Sequence, residues 1–152
     1  MERYPILFSR RELIEGNGFV AGVSISGRAL LFDEDGDYWV EGVNPGGFAA
    51  KGSSPSEALV AFAEELRLVL FDIAIEAVSF EDFKVAVEAF FNETNQTALR
   101  EWEGALAEVR QGKLAADWLD RRPADTPLGI EVAMIRDPRA ANNQEGVAAI
   151  AA

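Results

Sequence analysis

The chain of 152 residues contains neither cysteine nor histidine. Without cysteine it has no disulfide framework, no thiolate zinc site and no cysteine nucleophile. Without histidine it lacks the most common general base and the most common metal ligand, and it cannot form a Ser-His-Asp triad. A chain without disulfides suits a reducing compartment, so we predict a cytoplasmic protein with no cofactor and no metal ion.

Long apolar runs and positive charge are also scarce. No segment approaches the roughly 20 apolar residues of a membrane span, and the N-terminal stretch 1–16 lacks the apolar region of a signal peptide. Lys and Arg number 14 against 26 Asp and Glu, which gives a formal net charge of −12. Phosphates repel such a surface, so DNA binding is not expected, and the charge favours either a basic partner or simply solubility.

The first third of the chain predicts an antiparallel sheet. Asp35-Gly36 is a pair that tolerates the positive φ angles of a tight hairpin turn. Asn44 to Gly47 is a second turn by composition. The predicted strands cover residues 4–8, 19–25, 29–33, 37–43 and 48–51. A meander of this kind needs a helix on one face to bury it.

Helical signals follow. Ser54-Pro55-Ser56-Glu57 combines a capping box with proline at the first helical position, and the helix that it starts runs to about Ala77. Further helices are predicted from Ser79 and over 96–111, and a late strand over 128–135. The expected fold is α+β, with a three- or four-stranded antiparallel sheet, a covering helix and a helical C-terminal extension. The expected divisions are 1–78 for the sheet and helix, 79–136 for the extension and 137–152 for a mobile tail.

An acidic cluster surrounds the predicted hairpin turn. Its carboxylates could pair with arginine or lysine of a basic partner, or could simply keep the hairpin tip solvated. Tyr38 and Trp39 point to opposite faces of one strand, so we expect one to be buried and the other exposed, and an exposed aromatic side chain would anchor a partner. The candidate partner-binding residues are Asp33, Glu34, Asp35, Asp37, Trp39 and Glu41.

A metal site is the weaker interpretation of the same acids. Asp33, Asp35 and Asp37 have the one-three-five spacing of an EF-hand loop, but the sixth position is Tyr38 and the twelfth is Asn44. Glycine and glutamate are needed there, so the loop fails twice. Two-metal nuclease chemistry needs carboxylates that converge from several elements, whereas these lie mainly in one hairpin.

The segment from Asp35 to Leu59 resembles the HicB-like antitoxin family. The resemblance is carried by Asp35-Gly36, Tyr38-Trp39-Val40, the bend Asn44-Pro45-Gly46-Gly47, Gly52 and Glu57-Ala58-Leu59. It implies a partly degraded ribonuclease-H-like sheet with a helix packed on it. It also implies a non-enzymatic protein that neutralises a small basic toxin. Many members carry a DNA-binding segment as well, but no basic recognition helix follows in this chain.

Two other function classes stay open. The chain could be a structural or oligomeric assembly module that reuses the sheet, with the helical extension as its contact. It could also be a metal-dependent nuclease, which is the least favoured class because the acids lie mainly in one hairpin. The antitoxin hypothesis predicts a small basic partner that is occluded by the acidic strand and hairpin. The assembly hypothesis predicts a homo-oligomer.

Overall fold

The computed structural model describes residues 2–135 and 148–152. Across those residues the chain is α+β, with three helices and a mixed sheet of seven strands. The strands are β1 (Arg3–Glu15), β2 (Val20–Glu34), β3 (Asp37–Asn44), β4 (Ala49–Gly52), β5 (Asp120–Arg122), β6 (Gly129–Met134) and β7 (Ala148–Ala151). The helices are α1 (Pro55–Glu76), α2 (Phe80–Asn92) and α3 (Gln96–Arg110).

A long hairpin of β1 and β2 forms the centre of the sheet. Its register runs from Arg3 opposite Phe32 to Glu15 opposite Val20. The other edge of β2 is shared, because β3 pairs with its C-terminal half and β6 with its N-terminal half. The two halves meet at an irregularity between Arg28 and Ala29.

The remaining strands extend the sheet on both sides. β4 pairs with β3, and β7 pairs with β1 on the opposite side of the hairpin. The short strand β5 then pairs with β7 in parallel. The order is therefore β4-β3-β2-β1-β7-β5, with β6 beside β2.

Local signals explain where the helices begin. The Ser54 and Ser79 side chains accept hydrogen bonds from the backbone N–H groups of Glu57 and Asp82, and the Asn95 side chain accepts one from Ala98. Each bond satisfies a donor that the first helical turn leaves free. The predicted boundaries of α1 and α3 are confirmed to within one residue.

The helices cover both faces of the sheet. On one face α1 and α2 bury the main core, where Phe62, Leu66 and Phe83 are at most 3% exposed. On the other face α3 buries a second cluster around Trp102, which also contains Leu7, Leu30 and Val43. The Trp102 indole N–H donates to the Ile6 carbonyl at 3.2 Å, which fixes α3 to β1.

The predicted size of the sheet is wrong. A three- or four-stranded antiparallel sheet is smaller than the one formed, and the β5–β7 pair is parallel. The helices after residue 79 pack on the faces of the sheet and do not form an extension beyond it. The predicted late strand over 128–135 is present as β6.

The predicted tail also contains a buried strand. Residues 137–147 lie outside the described part of the chain, but Ala149, Ile150 and Ala151 of β7 are fully buried. Alanine-rich sequence without periodicity gave no strand signal there, because β7 is covered on both faces and therefore shows no polar alternation.

β1 is longer than predicted because its charged residues are neutralised inside the fold. Glu12 is only 7% exposed, and its carboxylate lies 2.6 Å from Arg10 Nε and 3.6 Å from Arg67 Nε on α1. A buried carboxylate needs such partners.

No helix of the described ranges is both long enough and apolar enough to cross a membrane.

Phe62 tests how strongly the α1 face holds the fold. Its ring stacks on Phe48 with centroids 4.7 Å apart and meets Phe8 edge-on at 5.2 Å. Phe62→Ala is expected to lower the free energy of unfolding by about 3–5 kcal/mol in urea titration. Val60→Ala, on the same helix at a position 69% exposed, should change it by no more than about 0.5 kcal/mol. Equal effects of the two substitutions would contradict the described packing.

Candidate protein-binding face

Four side chains form one row across the sheet, on the face that α3 covers in part. Arg3 of β1 is opposite Phe32 of β2, Phe32 is opposite Trp39 of β3, and Trp39 is opposite Lys51 of β4. Directly opposed residues of antiparallel strands point to the same side. Phe32 also packs against the Trp102 cluster, which identifies that side as the α3 face. We call Arg3, Phe32, Trp39 and Lys51 the cross-sheet row.

The cross-sheet row has cations at its two ends and aromatic rings between them. Lys51 Nζ lies 5.7 Å from the centroid of the Trp39 ring, and Arg3 Cζ lies 6.0 Å from that of Phe32. Both distances are within the range of a cation–π interaction. Each cation also meets a carboxylate, since Lys51 is 3.9 Å from Asp37 and Arg3 is 3.3 Å from Glu101.

Carboxylates border the cross-sheet row on both sides. Glu34 and Asp37 are paired one step closer to the hairpin turn, on the same face as Trp39. Glu41 lies on that face on the other side of Trp39, beneath the beginning of α3. The aromatic surface is therefore half-buried and bordered by acids.

The predicted binding residues divide into two groups. Glu34, Asp37, Trp39 and Glu41 lie on the α3 face, whereas Asp33 pairs with Tyr38 and points to the other face. Asp35 is exposed in the turn, where it and Gly36 have φ angles of 53° and 84°. Tyr38 and Trp39 are both half-buried, so the expected contrast between them is wrong.

Glu41 is partly buried beneath the beginning of α3. Burial raises the pKa of its carboxyl group, and the nearby Glu101 carboxylate raises it further. The Asn95 side-chain amide donates to Glu41 Oε1 at 3.0 Å and acts in the opposite direction. Glu41 thus joins the sheet to the beginning of α3 while it keeps a charge that folding disfavours.

Sequence reasoning missed Arg3, Phe32, Lys51 and Glu101. A usable signal exists for Phe32, because a two-residue Asp-Gly turn sets Glu34 opposite Asp37 and hence Phe32 opposite Trp39. Lys51 follows in the same way only if the β3–β4 register is known. No local pattern indicates that Arg3 lies beside Phe32 or that Glu101 of α3 reaches it.

A polar junction beside this face was also missed. The bend predicted at Asn44–Gly47 is largely buried, with Asn44 only 8% exposed. The Asn44 side chain accepts from Arg28 Nε at 2.7 Å and donates to the Thr94 hydroxyl. Next to it, the Asn95 N–H donates to the Val43 carbonyl at 3.1 Å and the Gly46 N–H to the Glu93 carbonyl at 2.8 Å. The bend therefore holds the α2–α3 connection against the sheet.

The described residues give no support to metal chemistry. Within 2–135 and 148–152, no three Asp or Glu side chains come together in a group that could hold a metal ion. Asp33 and Asp37 have the sequence spacing of EF-hand ligands, but they lie on opposite faces of the hairpin. Their carboxylates therefore point away from each other.

Comparison of the chain with protein-family models, with curated proteins and with solved structures finds no match. No family is shown for it by these means, and membership of the HicB-like antitoxins stays a prediction. The cross-sheet row is the arrangement of side chains that distinguishes the exposed part of this sheet from an ordinary solvated surface.

The raised pKa of Glu41 predicts a pH-dependent stability difference. A carboxyl group whose pKa is higher in the folded state loses stability as the pH rises, because the unfolded chain ionises first. Glu41→Gln removes that charge but still offers an oxygen to Asn95. We expect the variant to have a higher Tm than the wild type at pH 7, with the difference disappearing as the pH falls below about 4.

The control for this comparison is Glu34→Gln, which neutralises an exposed carboxylate on the same face. It should change Tm little at either pH, because surface substitutions away from buried features have small effects. A lower Tm for Glu41→Gln than for the wild type at pH 7 would show that its charge stabilises the fold.

Proposed function

We propose that this chain is a non-enzymatic protein-binding module that resembles HicB antitoxins and that binds and occludes a small basic, toxin-like partner. The contact surface is the cross-sheet row together with its bordering acids. The observation that carries the proposal is the pair of half-buried aromatic rings, each already contacted by a cation of the chain itself.

The intramolecular cations indicate what the surface recognises. Lys51 and Arg3 show that a positive group fits over each ring with a carboxylate beside it. Lys51 is exposed, and an exposed ion pair of this kind contributes little to stability. Lysine or arginine side chains of a basic partner can therefore take its place beside Asp37 and can also reach the exposed carboxylates of Glu34 and Asp35 at the hairpin turn.

Charge and shape then support occlusion in place of catalysis. The chain carries a net charge of −12, which speeds the approach of a basic protein and orients it. Aromatic residues at the centre of a contact surface supply most of the affinity, while charges at its border set specificity. On this proposal, the cross-sheet row covers a basic nucleic-acid-binding face of the partner.

Removal of the bordering charges tests the electrostatic part of the proposal. The variant combines Glu34→Gln, Asp37→Asn and Glu41→Gln. The tagged chain is used to capture a small basic protein from a lysate of the source cell at low salt, and the affinity of the captured protein is then measured by calorimetry. We expect the variant to bind it at least about tenfold more weakly than the wild type, and both to weaken as salt rises.

The matched control removes the same charge from another surface. Glu65→Gln, Asp72→Asn and Glu76→Gln neutralise three exposed acids of α1. This control should keep most of the affinity. If the two triple variants bind the partner with equal affinity, the net charge of the chain alone determines binding, and the cross-sheet row is not the contact surface.

Trp39 tests the aromatic part of the proposal. Trp39→Ala removes the central ring of the row, and loss of such an anchor typically costs at least about 2 kcal/mol of binding free energy. The control is Trp118→Ala. Trp118 is 50% exposed, and its ring meets that of Tyr4, which points to the opposite face of β1 from Arg3. Both variants are first compared by thermal unfolding. Retention of full affinity by a folded Trp39→Ala variant would rule out the row as the anchor.

A further inference from the structure

The outer edge of β6 pairs with no other strand in the described part of the chain. Along its other edge, β6 pairs with β2. Its sequence, GIEVAM, contains one charged residue and no proline. An edge strand of this kind presents unpaired N–H and C=O groups, and natural proteins usually protect such edges with charge, proline or a covering element.

One hydrogen bond fixes which backbone groups point outwards. The Ile135 N–H donates to the Val20 carbonyl at 2.8 Å, so the backbone of Ile135 faces β2. Backbone groups alternate in direction along an antiparallel strand. The N–H and C=O groups of Ile130, Val132 and Met134 therefore point away from β2, towards the open edge.

From this geometry we propose that the β6 edge is the docking site for a second copy of this chain, with the two β6 strands antiparallel about a twofold axis at Val132. Val132 is then opposite Val132 of the second copy, and Ile130 is opposite Met134. All of these residues present outward backbone groups, so the pairing forms up to about six main-chain hydrogen bonds. The two sheets become one continuous sheet.

Charge disfavours one of the two registers that neighbour this one. With the axis at Val132, Glu131 is opposite Ala133 of the second copy. An axis at Glu131 would place two carboxylates directly opposite each other, which is destabilising. The charge of Glu131 thus disfavours one of the two neighbouring self-pairings that the outward backbone groups would otherwise allow.

Apolar side chains support a second copy as the occupant. Met134 is 51% exposed and lies on the same face of the sheet as Ile130 and Val132, which pack against the main core. Leu128, directly before β6, is 37% exposed. In the proposed register, Met134 of each copy lies next to Ile130 and near Leu128 of the other. The same short segment therefore supplies both halves of a continuous apolar strip.

The absence of cysteine from the chain makes the register directly measurable. In Val132→Cys the two thiols of a dimer lie in one hydrogen-bonded pair, with Cα atoms about 5.5 Å apart, which suits a disulfide. In Glu131→Cys and Ala133→Cys the equivalent thiols are offset along the strands by two residues. We expect air oxidation to convert most of the Val132→Cys variant to a covalent dimer and to leave both controls mostly without the intermolecular disulfide, as judged on non-reducing gels.

Sedimentation equilibrium of the cysteine-free chain supplies the second measurement. We expect a mass twice that of the chain, and a dimer that strengthens as salt screens the repulsion between two acidic copies. Met134→Pro removes an outward N–H and is expected to give a monomer with little change in Tm, because proline is tolerated at an open edge. Met134→Leu keeps that N–H and should stay dimeric.

Two results would overturn the proposal. One is a monomer at all salt concentrations for the cysteine-free chain. The other is equal crosslinking of the three cysteine variants, which would mean random collision or a different contact. Neither result bears on the cross-sheet row, because the row lies on β1 to β4 and its binding is expected to weaken with salt.

Discussion

The pairing between β1 and β2 is the interaction on which the rest of the sheet depends. β7 attaches to β1, and β3 and β6 both attach to β2, so every other strand is held directly or through one neighbour by this hairpin. In its second half β1 carries charged residues, and Glu12 is buried on the face that α1 covers. A buried carboxylate requires partners there. The Arg10–Glu12–Arg67 cluster satisfies that requirement. Glu12, which interrupts the apolar pattern of β1, thus also joins β1 to α1 through Arg67.

The division of β2 between two partners depends on close backbone approach. A Cβ atom at Gly27 would lie 2.1 Å from the Asn44 carbonyl oxygen, so only glycine allows β3 to leave β2 at this point. Asn44 then bonds to Arg28 and Thr94, and Asn95 begins α3. Because Asn95 also donates to Glu41, the end of the cross-sheet row is positioned by the same junction that ends β3. The proposed binding surface therefore depends on buried polar contacts some distance from its aromatic centre.

Sequence reasoning recovers what local chemistry encodes. The serine caps, the Asp-Gly turn and the β6 alternation are each decided within a few residues, and the structure has all of them. It fails for β5 and β7, which are short and are defined by partners far away in the chain. It places Trp39 and five acids near one another, but the face that each side chain occupies depends on the register of the strands. Register across β1 and β4 brings in Arg3 and Lys51, which no local pattern links to Trp39.

The position of β7 has a consequence for the order of folding. Ile6 and Ile150 are partners although they lie near opposite ends of the described chain. Contacts between residues so far apart in sequence form slowly, since a long loop must close before they yield any stabilisation. Until that happens, Ile6, Leu7 and Phe8 of β1 form an apolar strand with one edge unpaired. We expect this intermediate to be the stage at which the chain is most prone to aggregate, and expression at lower temperature or with a chaperone to improve its yield.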